Sequence, residues 1–299
     1  MQAVRHRLEY AVVQSTRLAA HLLPHRVALL AGGGLGWVAY LLDGRHRRVA
    51  LTNLARAFPA RSGRDRRRIA RAVFAHLGRL LMGFLEFDGL SRDRMRGLIE
   101  IEGEDHIRQA LAQQKGVLIV AGHFGFWEMH ALGHSLLVGP MSVMARPLDN
   151  PLLNDLLERI RGATGTAVIH RRGGLRGVLR ALSANQSVAF LIDQHVHGAD
   201  AVYVDFFDQP AATTSALASI ALRTGAPVIP VFTLPLPRGR YRLVYESPVE
   251  PPAPDEPDAR RLFMQRCTDV LEMYVRRYPE LWLWMHRRWR EAPERLDDA

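Results

Sequence analysis

The sequence predicts an α/β fold, a mainly parallel central sheet flanked by helices, preceded by an N-terminal helical region that associates with membrane. Three observations carry this. From residue 115 onward, short apolar runs alternate with helix-compatible stretches, a pattern that needs crossover connections and so a parallel sheet. Before residue 100 the apolar residues recur at helical spacing instead. The excess positive charge is confined to the first quarter: residues 1–80 hold 15 Arg against Glu9, Asp43 and Asp65, whereas the remainder carries 25 basic and 27 acidic groups.

Composition limits the alternatives. With 299 residues, 48% hydrophobic and 23% charged, the chain has ample material for a core, which excludes disordered, collagenous and low-complexity classes. The lone cysteine, Cys267, excludes a disulfide framework and a Cys-based zinc site. No secretory signal peptide is apparent, because Arg17 and His21 interrupt the first apolar run.

Taken in order, Leu8, Val12, Val13, Leu18, Leu22 and Leu23 form an apolar stripe along a first helix. Residues 27–42 are uncharged between Arg26 and Asp43. Crossing a bilayer takes about 20 apolar residues, and this shorter stretch contains Gly32, Gly33, Gly34 and Gly36. It reads as an interfacial or shallowly inserted element, with a short transmembrane helix as the alternative. A helix over 45–58 stops at Pro59, and another over 64–87 carries Ile69, Val73, Phe74, Leu77, Leu80, Leu81 and Phe84 on one side. Strands are expected over 117–121, 142–145, 166–169, 187–192 and 228–234, with 241–246 alternating like an edge strand. Helices are expected over 151–161, 174–184, 214–223 and 257–277. The chain divides into a basic helical region, 1–100, and an α/β domain, 101–299.

The segment Ala121-Gly122-His123-Phe124-Gly125-Phe126-Trp127-Glu128 carries the most chemistry. An apolar strand should deliver His123 at its C-terminal end, where open α/β sheets bind ligands. If a helix begins near Gly125, Glu128 lies in its first turn and folds back toward the loop. A carboxylate on one imidazole nitrogen fixes the tautomer and leaves the other nitrogen as a base. A histidine at a strand end beside a surface glutamate is the plainer alternative.

His123 and Glu128 match the H-x4-D/E motif of the glycerolipid acyltransferase superfamily, and the chain more specifically resembles the lipid A secondary acyltransferases. The resemblance covers most of the chain: Arg48 to Leu54 with Phe58-Pro59, Gly122 to Gly125, Arg146 to Pro151, Asp193-Gln194, Ala212 to Thr214, and Trp284 to Arg288. It implies transfer of a fatty acyl chain from acyl carrier protein (or coenzyme A) to a hydroxyl of a lipid A precursor. The place would be the cytoplasmic face of a bacterial inner membrane, with no cofactor. His123 would be the general base, and Glu128 would orient it. A lysophospholipid or another envelope glycolipid as acceptor, or a non-catalytic lipid-binding protein, are the alternatives.

Further site residues sit at the ends of later strands. Arg146 should bind phosphate on the acceptor or on the donor's phosphopantetheine, unless it caps the next helix; Asn150 follows four residues on. Arg171 and Arg172 occupy an equivalent place after the third strand. Asp193 and Gln194 end the fourth; the resemblance places this block at the border of the active site and implies a polar binding role, with a structural turn as the alternative. Asp193, His195, His197 and His123 do not make a persuasive metal set, since zinc needs three or four converging ligands. Gly34-Leu35-Gly36-Trp37-Val38-Ala39 spells a dinucleotide fingerprint but follows no strand. Arginines interleaved with aliphatic stripes suit anionic lipid better than nucleic acid. The tail from Trp282 to Arg290 suits the lipid headgroup layer or packing against the domain.

Overall fold

A computed structural model describes residues 2–87, 91–170, 173–198, 200–253 and 255–290. Four helices come first: α1 (Gln2–Leu22), α2 (His25–Leu42), α3 (Gly44–Ala57) and α4 (Gly63–Glu86). Pro24 separates α1 from α2. The Asp43 carboxylate accepts the His46 N–H and caps α3, and Ser62 caps α4 through the Asp65 N–H.

The α/β part then runs α5 (Arg92–Leu98), β1 (Ile99–Glu102), α6 (Glu104–Ala112), β2 (Val117–Ala121), α7 (Trp127–Leu137), β3 (Met141–Ala145), α8 (Pro151–Ala163) and β4 (Ala167–His170). It continues with α9 (Gly174–Ser183), β5 (Ser187–Leu191), β6 (Ala201–Asp205), β7 (Pro210–Thr214), α10 (Ala216–Thr224), β8 (Val228–Leu236), β9 (Arg240–Tyr245) and α11 (Ala259–Arg277). The seven-stranded sheet has the order β1-β9-β8-β2-β5-β3-β4, parallel except where β9 runs against β8. The strand β1 and the β6–β7 hairpin add to the elements read from sequence. Both are short or weakly apolar, so periodicity does not announce them.

β2 is buried along its whole length, as expected of a central parallel strand. Its neighbour β5 pairs with Ala121 opposite Leu191. The chain therefore leaves both strands at the same level, and the residues two further on, His123 and Asp193, emerge side by side.

No break in packing marks residue 100. Tyr40, Leu54, Val73 and Phe74 of the early helices share one apolar core with Leu118, Phe124, Phe232 and Trp284. Gly32 and Gly36 of α2 serve this packing. A Cβ on Gly36 would lie 2.0 Å from the Phe74 carbonyl oxygen, and one on Gly78 would lie 2.0 Å from that of Gly32. Of the apparent dinucleotide motif, Gly36 thus lies on the close face of a helix pair, while Gly34 faces open space.

The outer faces of α1 and α2 are different. Leu8, Val12, Leu18 and Leu22 on α1, and Leu30, Trp37, Leu41 and Leu42 on α2, are exposed. Among the described residues no single helix is long and apolar enough to cross a membrane; α2 and α3 satisfy that requirement only as a pair bent by 91°. The C-terminal tryptophans resolve to packing rather than to the headgroup layer. Trp282, Trp284 and Trp289 are buried, as is Arg288, because the tail folds back over Phe206 and Phe207.

Candidate active site

The loop after β2 is held by backbone and buried side chains. The Gly125 N–H donates to the Leu281 carbonyl, the Leu283 N–H to the His123 carbonyl, and the His76 Nε2 to the Gly125 carbonyl. Burial lowers the His76 pKa to about 4, so it acts there as a neutral donor. Gly125 has φ +58°, and a Cβ would meet the Thr233 carbonyl oxygen at 1.9 Å. Only glycine fits the turn that follows His123.

His123 faces Asp193. The imidazole Nδ1 lies 2.8 Å from Oδ1, and the His123 backbone N–H donates to Oδ2 at 2.8 Å. The indole N–H of Trp282 donates to the same Oδ2 at 2.8 Å. Three donors thus converge on one buried carboxylate, which satisfies it as an anion. Burial alone disfavours charge on both partners. For His123, the charge and hydrogen bond of Asp193, aided by the charge of Glu128, outweigh burial and raise its pKa above the ordinary histidine value. For Asp193 the same contacts, with Trp282, outweigh burial and hold the carboxyl below the usual range. With Nδ1 protonated toward Asp193, Nε2 carries the lone pair. It points to the amide of Gln194, 3.3 Å away and exposed.

Glu128 is not the group that touches the imidazole. It forms a two-pronged pair with Arg161 of α8, Nε to Oε2 at 3.0 Å and Nη2 to Oε1 at 2.8 Å, with both side chains nearly buried. The expected brace from Glu128 is thus supplied by Asp193. Residue spacing favours the nearer carboxylate, but α7 turns Glu128 toward α8, and strand adjacency brings Asp193 in. Glu128 still acts on His123 by its charge.

Residues 2–291 match the family model for bacterial lipid A biosynthesis acyltransferase. The chain belongs to this family. It is 30% identical over 278 residues to the lipid A biosynthesis lauroyltransferase of Escherichia coli (strain K12), covering 91% of this chain and 88% of that protein. The palmitoleoyltransferase of the same organism is 29% identical over 91% of this chain and 87% of its own length. A phosphatidylinositol mannoside acyltransferase of Mycolicibacterium smegmatis is 23% identical over 54% of this chain and 55% of that protein. The protein is an acyltransferase of lipid A biosynthesis.

The remaining expected site residues of this lipid A acyltransferase are spread along the sheet edge. Gln194 touches His123. Arg146, just past β3, is exposed and pairs with the equally exposed Asp149 at 3.3 Å. Asn150 does not offer its side chain to a ligand: its amide donates to the His6 carbonyl at 2.9 Å and to Glu9 Oε2 at 2.8 Å, and its oxygen caps α8 through the Leu152 N–H. It ties α1 to α8, a role that needs tertiary contacts to be seen. Arg171 and Arg172 lie outside the described residues. Trp282 and Arg161 also belong to the site, and nothing local in the sequence marks a distant tryptophan or arginine as the partner of a buried carboxylate.

A cavity of about 540 Å³ opens beneath the loop, between α2, α4 and the turn joining β8 to β9. Leu29, Leu80, Phe126, Leu236 and Leu281 line it, with Arg26, Arg79 and Arg238 at its rim.

Proposed function

We propose that this lipid A acyltransferase moves a fatty acyl chain from acyl carrier protein to a hydroxyl of a lipid A precursor, with His123 as general base. The observation that carries the reading is the His123–Asp193 contact, 2.8 Å at Nδ1, which leaves Nε2 free to accept a proton. The acceptor hydroxyl displaces the Gln194 amide and gives its proton to Nε2. Its oxygen attacks the thioester carbonyl, and the C–S bond breaks as the tetrahedral intermediate collapses. The leaving thiolate takes the proton back from the imidazolium. Asp193 stabilises the charged imidazole during the step, as a buried carboxylate does in other histidine-based sites. Glu128 adds negative charge near it and holds α7 to α8 through Arg161. No acyl-enzyme is needed.

The exposed apolar faces of α1 and α2, flanked by arginines, support attachment to the anionic surface of the inner membrane at its cytoplasmic face. The 540 Å³ cavity has the apolar wall and cationic rim that suit a fatty chain with an anionic carrier. The test is His123→Ala, assayed with acyl carrier protein thioesters and lipid A precursor in detergent. Transfer should fall by about 10²–10⁴-fold with unchanged circular dichroism. Turnover retained within a few-fold would remove His123 as the base. Mass spectrometry of the product identifies the acceptor and the chain.

A further inference from the structure

We propose that the arginine-lined groove between α3 and the C-terminal segment is a phosphate-binding subsite beside His123. The inference rests on the acyl-transfer reading only for the identity of the molecule that brings the phosphate. Two adjoining cavities of about 260 and 290 Å³ form the groove. Arg45 and His46 of α3, His195 and His197 of the loop after β5, and His286 and Arg287 line the first. Arg48, Asn53, Arg56, Arg287 and Arg290 line the second, and Val49, Arg287 and Arg290 belong to both.

The groove gathers basic side chains from α3 and the tail. Several surface arginines elsewhere face carboxylates, among them Arg242 with Glu100 and Arg276 with Glu272. No carboxylate among the described residues lines either part of the groove itself; Asp43, which caps α3, is taken by His46 at 2.6 Å, and Arg45, Arg48 and Arg287 form no ion pair with a described residue. The neighbouring guanidinium groups of Arg45, Arg48 and Arg287 repel one another, and an anion between them removes that cost. Guanidinium forks match the oxygens of a phosphate group in a two-pronged geometry.

The walls are fixed in advance. Buried Asn53 donates its amide to the carbonyls of Trp284 at 2.8 Å and His286 at 2.6 Å. Arg56 donates to the Trp289 carbonyl at 3.2 Å, and the His195 N–H donates to His286 Nε2 at 2.9 Å. These bonds lock α3, the tail and the loop after β5 together, so little order is lost on binding. The same loop carries Gln194, which touches His123, and the tail N–H of Leu283 holds the His123 carbonyl at 3.0 Å. A phosphate in the groove therefore sits against the same loop and tail that hold the base. It comes either from a phosphorylated glycolipid acceptor or from the phosphopantetheine arm of the donor.

The experiment compares the wild-type chain with Arg48→Ala/Arg287→Ala, both side chains being exposed. Acyl transfer is measured in neutral detergent with a glycolipid acceptor in phosphorylated and dephosphorylated forms, and with acyl-phosphopantetheine against acyl-pantetheine. The expected result is a KM raised tenfold or more for one phosphorylated partner, with less than a twofold change for its dephosphorylated counterpart. The partner that shows the difference is the source. Equal changes with and without phosphate in both arms, or no change, overturn the subsite. Thermal shift with inorganic pyrophosphate is read in parallel and needs no turnover. A wild-type shift that the double variant loses supports the subsite even if no acyl transfer occurs, an outcome that would sink the acyl-transfer reading alone. Transfer without any dependence on phosphate sinks the subsite alone.

Discussion

At the residue scale the site turns on which carboxylate reaches the imidazole. His123 must be neutral to accept a proton, and its pKa is raised, so kcat/KM should fall as pH drops through a value above the ordinary histidine pKa of about 6.5. Asp193→Asn removes the charge that raises it. The acid limb should then move to lower pH while kcat falls by about 10²–10⁴-fold, since the correct tautomer is no longer enforced. An acid limb that stays in place would show that Asp193 does not set the imidazole's protonation. Glu128→Ala tests a different role. It leaves Arg161 nearly buried and unpaired, which costs about 3–5 kcal/mol and should lower Tm measurably. Its acid limb should move less than that of Asp193→Asn, because Glu128 acts on His123 by charge without a hydrogen bond. His123 and Glu128 are legible in sequence because they share one short segment. The pairing of His123 with Asp193 is not, because it depends on β2 and β5 being neighbours.

At the element scale, the expected strands over 117–121 and 187–192 match β2 and β5 to within a residue, because continuous apolar runs between turn residues have few other uses. The long helices also stand where caps and periodicity place them. The N-terminal glycines are different: their segment reads as an interfacial or shallowly inserted element, yet Gly32 and Gly36 let α2 and α4 approach backbone to backbone. Gly36→Val should force the two helices apart. Overpacking costs about 1–3 kcal/mol, and the expected result is a lower Tm without loss of helical content. An unchanged Tm would mean that the contact yields freely. Gly125 makes the same point in a loop, where a positive φ and the Thr233 carbonyl leave no room for a side chain.

At the scale of the whole molecule, the arrangement is asymmetric: sheet and tail bury their aromatics, while α1 and α2 present leucines and Trp37 outward. Deleting residues 1–43 would be a poor test of membrane binding. It would uncover α4 and remove His25, whose ring joins Glu86 at 2.7 Å and the Gly239 carbonyl at 2.9 Å. Replacing the exposed Leu8, Leu18, Leu22, Leu30 and Trp37 by Ser leaves those contacts intact. Each apolar side chain contributes about 1.5–3 kcal/mol when fully buried, so flotation with anionic vesicles should fall at least hundredfold at unchanged Tm. Undiminished flotation would assign attachment to another surface.

The fold class, the position of His123 at a strand end, the family and the basic N-terminal region are readable from the chain alone. Each of these is written in local periodicity, in short motifs or in composition. Only folding brings Asp193 to the imidazole, commits Glu128 to Arg161 and Asn150 to α1, and makes the tail tryptophans core. These are contacts between residues far apart in the chain, and only the order of strands and the packing of helices bring such partners within hydrogen-bonding distance.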